Sequence, residues 1–225
     1  MDTTIPEIRR NIVDLCRDLH RRNWVANHDG NISVRLPGNK ILITPTAMSK
    51  GDVREIDLVE IGLNGKRLSG SRRPPSEMRL HLIIYKNRPD VQSVVHAHPP
   101  ASVAHAVTGM EIPTTMMAEP IVSIGDRIPL VPFAPPGSAD LHQSLADTIM
   151  TANCLLLEQH GPIAAGDDLE QARLRFELIE HLANIHLKAL QLGSIGRIPE
   201  PVMRDLLKKH HAAGLGAPGL GIKDT

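Results

Sequence analysis

Two histidines stand two residues apart at the end of an apolar run, in the segment Val94-Val95-His96-Ala97-His98. If residues 91–98 form a β-strand, both imidazoles lie on the same face, because side chains alternate in direction along a strand. Two neutral imidazole nitrogens side by side are a suitable donor pair for a divalent metal. Pro99 and Pro100 follow and end the strand, so we expect the pair at an edge where a site opens to solvent.

Two further segments supply donors of the same kind. Ser76-Glu77-Met78 opens a predicted helix and offers a carboxylate. A second apolar strand, Leu155-Leu156-Leu157, leads through Glu158-Gln159 to a third histidine, His160, directly before the breaker pair Gly161-Pro162. A glutamate and three histidines at the ends of separate elements are a donor set typical of open catalytic metal sites.

The same residues also have structural interpretations when each is taken alone. A single histidine could be a buried, hydrogen-bonded core residue. Glu77 could be a carboxylate at a helix start that interacts with the helix dipole. The combination favours metal binding, and the sequence therefore predicts one divalent ion bound by His96, His98 and His160 beside Glu77.

The composition limits the classes of protein to consider. The chain has 225 residues and is 41% hydrophobic, which fits one domain with a substantial core. Lys+Arg and Asp+Glu number 25 each and aromatic residues make up 2%, so nucleic acid is not an expected partner. We find no membrane-length apolar run and no secretion signal, so we expect a cytoplasmic protein without membrane contact. Cys16 and Cys154 lie within apolar patterns and are interpreted as buried thiols.

Periodic patterns predict the elements that position the candidate site. Helices are expected at 6–22, 77–87, 138–152 and 169–192, and strands at 32–36, 40–44, 58–61, 91–98, 121–124, 128–132 and 153–159. We expect a single-domain layered α/β/α fold with a central, largely antiparallel sheet flanked by helices. Residues 1–211 would form the catalytic domain. The glycine-rich residues 212–225 would form a C-terminal tail that is poorly ordered or ordered by a partner.

Five ordered motifs resemble those of the class II aldolase/adducin family over about residues 8 to 190. They are Gly30-Asn31-Ile32-Ser33, Ile43-Thr44-Pro45-Thr46, Pro75-Ser76-Glu77, the run from Arg88-Pro89-Asp90 to Val95-His96-Ala97-His98, and Gln159-His160-Gly161. The resemblance implies a homotetrameric enzyme of carbohydrate metabolism with sites near subunit interfaces. It implies a metal-dependent aldehyde-lyase that cleaves or forms a C–C bond next to a carbonyl through a metal-stabilised enediolate. A short phosphorylated ketose such as L-fuculose 1-phosphate would be the substrate.

The resemblance also implies roles for individual residues. His96, His98 and His160 match the family's metal-binding histidines, and Glu77 matches its catalytic carboxylate, which also binds the ion when no substrate is present. Zinc is the family's usual ion, and the donor set suits manganese or iron as well.

Further matched positions lie where the family holds the substrate phosphate: Gly30, Asn31, Thr46, Ala47 and Ser76. Backbone amides at a glycine turn and hydroxyls at a helix start suit an anion, with the alternative that Gly30-Asn31 only forms a tight turn. Two residues depart from the family pattern. Ala47 replaces a frequent glycine, and Pro75 replaces a serine and offers neither a hydroxyl nor an N–H.

A third departure concerns the proton donor. In fuculose-type members a tyrosine of a neighbouring subunit assists proton transfer, and our alignment of Ile112-Pro113 places Met117 there. The single tyrosine of this chain, Tyr85, lies in the helix after Glu77. Two alternatives therefore stay open. One is a metal-dependent decarboxylase of a keto or hydroxy acid on the same fold, which needs no proton donor for its leaving group. The other is a non-catalytic, adducin-like structural domain, which need not retain the metal ligands.

Overall fold

The computed structural model describes residues 4–217 of the chain. The chain divides into two compact units. The first is built from the chain up to Pro99 and from Ile163–Leu174, and the second from Pro100–Pro162 and from Arg175 onward.

Seven α-helices and eight strands occupy the described residues. The helices are α1 (Ile5–Arg21), α2 (Met78–Asn87), α3 (Pro100–Thr108), α4 (Ala118–Ser123), α5 (Ala139–Ile149), α6 (Leu169–Leu192) and α7 (Glu200–Ala212). The strands are β1 (Asn31–Leu36), β2 (Lys40–Ile43), β3 (Val59–Gly62), β4 (Arg67–Ser69), β5 (Ser93–His96), β6 (Leu130–Val131), β7 (Cys154–Leu157) and β8 (Gly161–Gly166).

The sheet of the first unit is antiparallel throughout its strand pairs. Its strands lie in the order β4-β3-β2-β1-β5-β8. The hairpin between β1 and β2 turns at Gly38 and Asn39, whose φ angles of 77° and 57° suit the twist of a tight hairpin. Pairing of β1 with β5 sets Asn31 opposite His96. The register therefore brings the start of β1 to the candidate metal ligands.

The second unit contributes a parallel strand pair, β6 with β7, against which α5 packs. In the first unit α1 packs on β1, because Ile12, Leu15, Cys16 and Leu19 recur at helical spacing and are all buried. The predicted α/β class, with a central, largely antiparallel sheet flanked by helices, is confirmed.

The predicted strand at 121–124 is wrong, because α4 occupies Ala118–Ser123. Its apolar run is short, and a run of that length is compatible with a strand or a buried helical turn. The predicted strand at 91–98 is shorter in the structure, where β5 ends at His96. The cysteines are free and buried as expected, and burial raises the pKa of each thiol to about 12.

The first residues of the predicted C-terminal tail pack within the second unit. The Leu215 carbonyl accepts hydrogen bonds from the side chains of Asn153 and Arg175, both at 2.9 Å, and Ala217 is buried. Residues 218–225 of the predicted tail lie outside the described part of the chain. Across 4–217, none of the helices has both the length and the apolar character that a membrane crossing requires.

Candidate metal centre

A glycine lets the start of β1 approach the histidines. Gly30 has φ +72°, a conformation that L side chains rarely adopt. A Cβ at this position would lie 2.9 Å from Val25 Cγ1 and 3.0 Å from the His96 carbonyl oxygen. Any other residue would therefore push the chain away from His96.

The two histidines of the His-x-His segment face each other across a short gap. His96 ends β5 and is fully buried, whereas His98 lies in the following loop and is partly exposed. The backbone N–H of His98 donates to the Trp24 carbonyl at 2.9 Å. The Nε2 atoms of His96 and His98 are 3.2 Å apart, and their rings are nearly perpendicular at 76°. The pair thus forms at a strand end and the adjoining loop, and not along one continuous strand.

Glu77 stands directly before α2 and turns its carboxylate toward the histidines. Its side chain makes no capping hydrogen bond to the helix. Oε2 lies 3.7 Å from His96 Nε2 and accepts a hydrogen bond from Asn31 Nδ2 at 2.7 Å. The carboxylate is therefore directed toward the histidines and does not cap the helix by a side-chain hydrogen bond.

Glu77, His96 and His98 fit a divalent metal. Each offers one donor atom, and these atoms lie within 4.8 Å of one another. Two nitrogens bound to a tetrahedral zinc ion lie about 3.3 Å apart, given Zn–N distances of about 2.0–2.1 Å. The observed 3.2 Å between the two Nε2 atoms matches this separation. Two neutral imidazoles that face each other at this distance suit an ion between them.

Asp29 supports one of these donors from behind. Its Oδ2 lies 3.5 Å from His98 Nδ1, the ring nitrogen that faces away from His96. A carboxylate behind a metal-binding histidine fixes the ring orientation and raises the basicity of the donor nitrogen. Asp29 lies outside the five family motifs, and its position next to the Gly30 turn gave no sign of this contact.

His160 lies in the second unit, in the turn after β7. Its backbone N–H donates to the Leu157 carbonyl at 3.1 Å, and the preceding Gln159 has φ +59°. The side chain is half-buried. The family resemblance assigns His160 to the metal together with His96 and His98, and this assignment stays a prediction.

A chain of buried polar side chains continues from Glu77 into the first unit. Asn31 Oδ1 lies 2.6 Å from His81 Nε2, and His81 Nδ1 lies 2.6 Å from Ser33 Oγ. Ser33 Oγ lies in turn 2.8 Å from the Tyr85 hydroxyl. Burial lowers the pKa of His81 to about 3 and raises that of Tyr85.

His81 lies outside the five family motifs, and the sequence analysis did not single it out, so it missed these hydrogen bonds. A usable signal was present. Glu77, His81 and Tyr85 are spaced by four residues, which places them on one face of a helix. Asn31 and Ser33 are spaced by two, which places them on one face of a strand.

Lys50 is a buried cation of the first unit that the sequence pattern did not single out. Its Nζ donates to the His28 carbonyl at 3.1 Å. Burial lowers the pKa of Lys50, and the negative charges of Asp29 and Glu77 oppose that shift. The lysine charge therefore interacts favourably with the ionised carboxylates of the site.

The positions expected to hold an anion have varied surroundings. The Thr46 N–H donates to the Arg73 carbonyl at 3.0 Å, which ties the loop after β2 to the segment before Ser76. Ala47 has a left-handed φ of 53° and is exposed, as is Ser76. The side-chain amide of Asn31 already bonds Glu77 and His81.

Neither residue considered for the proton donor offers an exposed phenol. Met117 stands directly before α4. Tyr85 is 1% exposed, and its hydroxyl bonds Ser33.

Comparisons with known proteins show which family the chain belongs to. The sequence profile of the Class II Aldolase and Adducin N-terminal domain matches residues 10–187. The chain is 33% identical over 212 residues to the L-fuculose phosphate aldolase of Haemophilus influenzae, an alignment that covers 93% of this chain and 96% of that protein. It is 29% identical over 186 residues to the 5-deoxy-D-ribulose 1-phosphate aldolase of Bacillus thuringiensis serovar kurstaki, covering 82% of this chain and 86% of that protein.

A solved structure gives the same result. The sugar-phosphate aldolase from Thermotoga maritima superposes with a TM-score of 0.74 at 28% sequence identity, and the match covers 85% of this chain and 98% of that one. With its histidine and carboxylate donors in place and a profile match over most of its length, the chain belongs to the class II aldolase and adducin N-terminal domain family.

Proposed function

We propose that this protein is a metal-dependent aldolase that cleaves or forms a C–C bond next to the carbonyl of a short phosphorylated ketose. The observation that carries the proposal is the group of three potential ligands in the first unit, Glu77, His96 and His98, whose donor atoms lie within 4.8 Å of one another. An adducin-like structural domain has no need of such a set. The named activities of the relatives support the aldolase branch of the family.

His96, His98 and His160 would hold the ion. Zinc is the family's usual ion, and manganese or iron also accepts these donors. A divalent ion bound here would supply a Lewis acid for the substrate carbonyl. Asp29 would orient His98. The Glu77 carboxylate would carry the proton to or from the carbon at which the bond breaks or forms.

The substrate class follows from two lines of support. Both named relatives act on phosphorylated ketoses, as their names state. Gly30, Thr46, Ala47 and Ser76 match the family positions that hold the phosphate. The Asn31 side chain matches another but has buried partners, so we assign the anion to the other four. We further propose that the protein works in the cytoplasm as a homotetramer, as the family resemblance implies.

A panel of ketose 1-phosphates tests the proposal. Retro-aldol cleavage of any of them between C3 and C4 releases dihydroxyacetone phosphate and an aldehyde, and both products are measured with the metal-loaded protein. We expect turnover with at least one member and competition by millimolar inorganic phosphate. Equal turnover of unphosphorylated ketoses without phosphate competition would contradict the anion pocket, and no released aldehyde from any ketose would contradict the aldolase.

One observation favours a second candidate, a metal-dependent decarboxylase of a keto or hydroxy acid. The only tyrosine of the sequence is buried, and its hydroxyl bonds Ser33, so an exposed phenol is not available as proton donor. Carbon dioxide leaves without such a donor. Release of carbon dioxide from keto acids, measured beside the aldehyde assay, distinguishes the two activities.

A further inference from the structure

We propose that Asn31, His81, Ser33 and Tyr85 form a buried hydrogen-bond chain that positions the Glu77 carboxylate for proton transfer. This inference rests on the proposed function, because it assigns positioning residues to the same site. It gives the Asn31 side chain a role other than phosphate binding.

The direction of each hydrogen bond in the chain follows from Glu77. An ionised carboxylate only accepts, so Asn31 Nδ2 donates to Glu77 Oε2 at 2.7 Å. Asn31 Oδ1 must then face His81, and the 2.6 Å contact requires a proton on His81 Nε2. His81 Nδ1 is left as an acceptor.

The remaining two bonds continue in the same sense. The Ser33 hydroxyl donates to His81 Nδ1 at 2.6 Å, and the Tyr85 hydroxyl donates to Ser33 Oγ at 2.8 Å. The backbone of Val94 also hydrogen-bonds the Tyr85 hydroxyl. The chain therefore has one consistent polarity, which runs from Tyr85 to the carboxylate of Glu77.

Burial and element geometry make the chain rigid. Asn31 is 3% exposed, and Ser33 and His81 are fully buried. His81 and Tyr85 lie on one face of α2, and Glu77, the residue directly before α2, lies on the same side. Asn31 and Ser33 lie on one face of β1. Four hydrogen bonds thus connect a helix to a strand that is itself paired with the His96 strand.

The hydrogen-bond chain holds the Glu77 carboxylate in place and does not conduct protons. A side-chain amide stands between His81 and Glu77, and an amide does not readily accept a proton on one side and release another on the other. Burial also keeps the imidazole neutral. What the chain provides is a fixed direction for one carboxylate oxygen, and a misplacement of about 1 Å in an active site costs about 100-fold in rate.

Four variants test the chain. Asn31→Leu and His81→Leu remove hydrogen bonds at similar side-chain size, and His81→Gln restores an N–H that can face Asn31. His105→Leu is the matched control, because His105 is equally buried and bonds the Ala101 carbonyl and His186 through its two ring nitrogens.

The activity readout is deuterium exchange at C3 of dihydroxyacetone phosphate in D₂O, with kcat and KM determined separately. We expect Asn31→Leu and His81→Leu to lower kcat about 10- to 100-fold with KM changed less than about threefold and metal content unchanged. His81→Gln should recover most of the rate. His105→Leu should lose thermal stability while its kcat stays at the wild-type value.

A second readout does not depend on activity. In long-range ¹H–¹⁵N spectra of histidine-labelled, metal-loaded protein, His81 is identified by its absence from His81→Gln. We expect the neutral Nε2–H form with a slowly exchanging proton, and loss of that slow exchange in Asn31→Leu. An Nδ1–H form in the wild type overturns the chain, as does wild-type kcat in folded His81→Leu and Asn31→Leu.

The two readouts separate the inference from the proposed function. A wild-type protein that exchanges no deuterium into dihydroxyacetone phosphate counts against the aldolase. In that case the NMR result for His81 still decides whether the hydrogen-bond chain is present.

Discussion

At the scale of single residues, chemistry depends on where His96, His98 and Glu77 direct their donor atoms. Nitrogens 3.2 Å apart and a carboxylate oxygen 3.7 Å from one of them leave space for an ion. The same atoms on free side chains would have many other orientations. Asp29 behind His98 and Asn31 against Glu77 restrict those orientations.

Replacing either His96 or His98 with Ala should abolish both metal retention and activity, because two remaining protein nitrogens and a carboxylate hold a divalent ion far more weakly. Elemental analysis of the purified variants measures the loss. His181→Ala is the control, since His181 is exposed on α6. Full metal content in the double variant would show that the ion binds elsewhere.

Glu77→Gln should keep the fold and most of the metal but lose turnover by about two to four orders of magnitude, the usual scale for a general acid–base residue. Glutamine preserves the size of the side chain and still coordinates through oxygen, but it does not take up the proton. Steady-state kinetics and metal analysis on the same preparation measure both properties. The exposed Glu7→Gln in α1 serves as control, and a wild-type rate for Glu77→Gln would reduce Glu77 to a ligand.

At the scale of elements, the start of β1 controls the site, because it pairs with the end of β5. Gly30 and Gly38 have nearly the same left-handed backbone, with φ of 72° and 77°. They differ in surroundings: a Cβ at Gly30 would meet Val25 and the His96 carbonyl, whereas nothing lies within 4 Å of a Cβ at Gly38.

Alanine substitutions at these two glycines separate the cost of backbone strain from the cost of steric contact. Gly38→Ala should cost about 1–2 kcal/mol of unfolding free energy, the usual penalty for alanine in a left-handed conformation. Gly30→Ala should cost about 1–3 kcal/mol more, from overpacking against β5, and should also lower metal content. Urea denaturation measures both free energies. Equal losses in the two variants would mean that β1 does not need close approach at Gly30.

At the scale of the whole molecule, buried histidines make stability depend on pH. Burial lowers the pKa of His81 from 6.5 to about 3, with His96 adding to the shift and Glu77 opposing it. Burial also lowers the pKa of His186 and His210. Below pH 6.5 the unfolded chain therefore binds more protons at these positions than the folded one, and for His81 this difference extends down to about pH 3.

The sign of the effect follows from that difference. The free energy of unfolding should be highest above about pH 6.5 and should fall on acidification. His81 should contribute a slope of up to about 1.4 kcal/mol per pH unit. His81→Gln removes the titrating group, so its stability should fall less steeply over the same range. Urea midpoints measured at several pH values test this, and identical slopes in both proteins would exclude His81 as a contributor.

The sequence alone contained much of the fold class and of the candidate site. Periods of two and of about 3.6 residues are local, so the β1–β2 hairpin, α2 and the long α6 could be read from neighbouring residues. The donors of the site were also visible as types at strand ends: His96 and His98 before two prolines, and His160 before Gly161-Pro162. The family motifs added the expected role of Glu77.

Tertiary structure decided what local patterns do not specify. The short apolar run predicted as a strand at 121–124 lies largely in the helix Ala118–Ser123, because a run of that length fits either element. The hydrogen bonds of Asn31 and Ser33 with Glu77, His81 and Tyr85 join residues 46 to 52 positions apart, so they exist only when α2 lies against β1. Asp29 likewise became a partner of His98 only through the fold. Residue type and local spacing determine which atoms are available for chemistry, and long-range packing determines which of them meet.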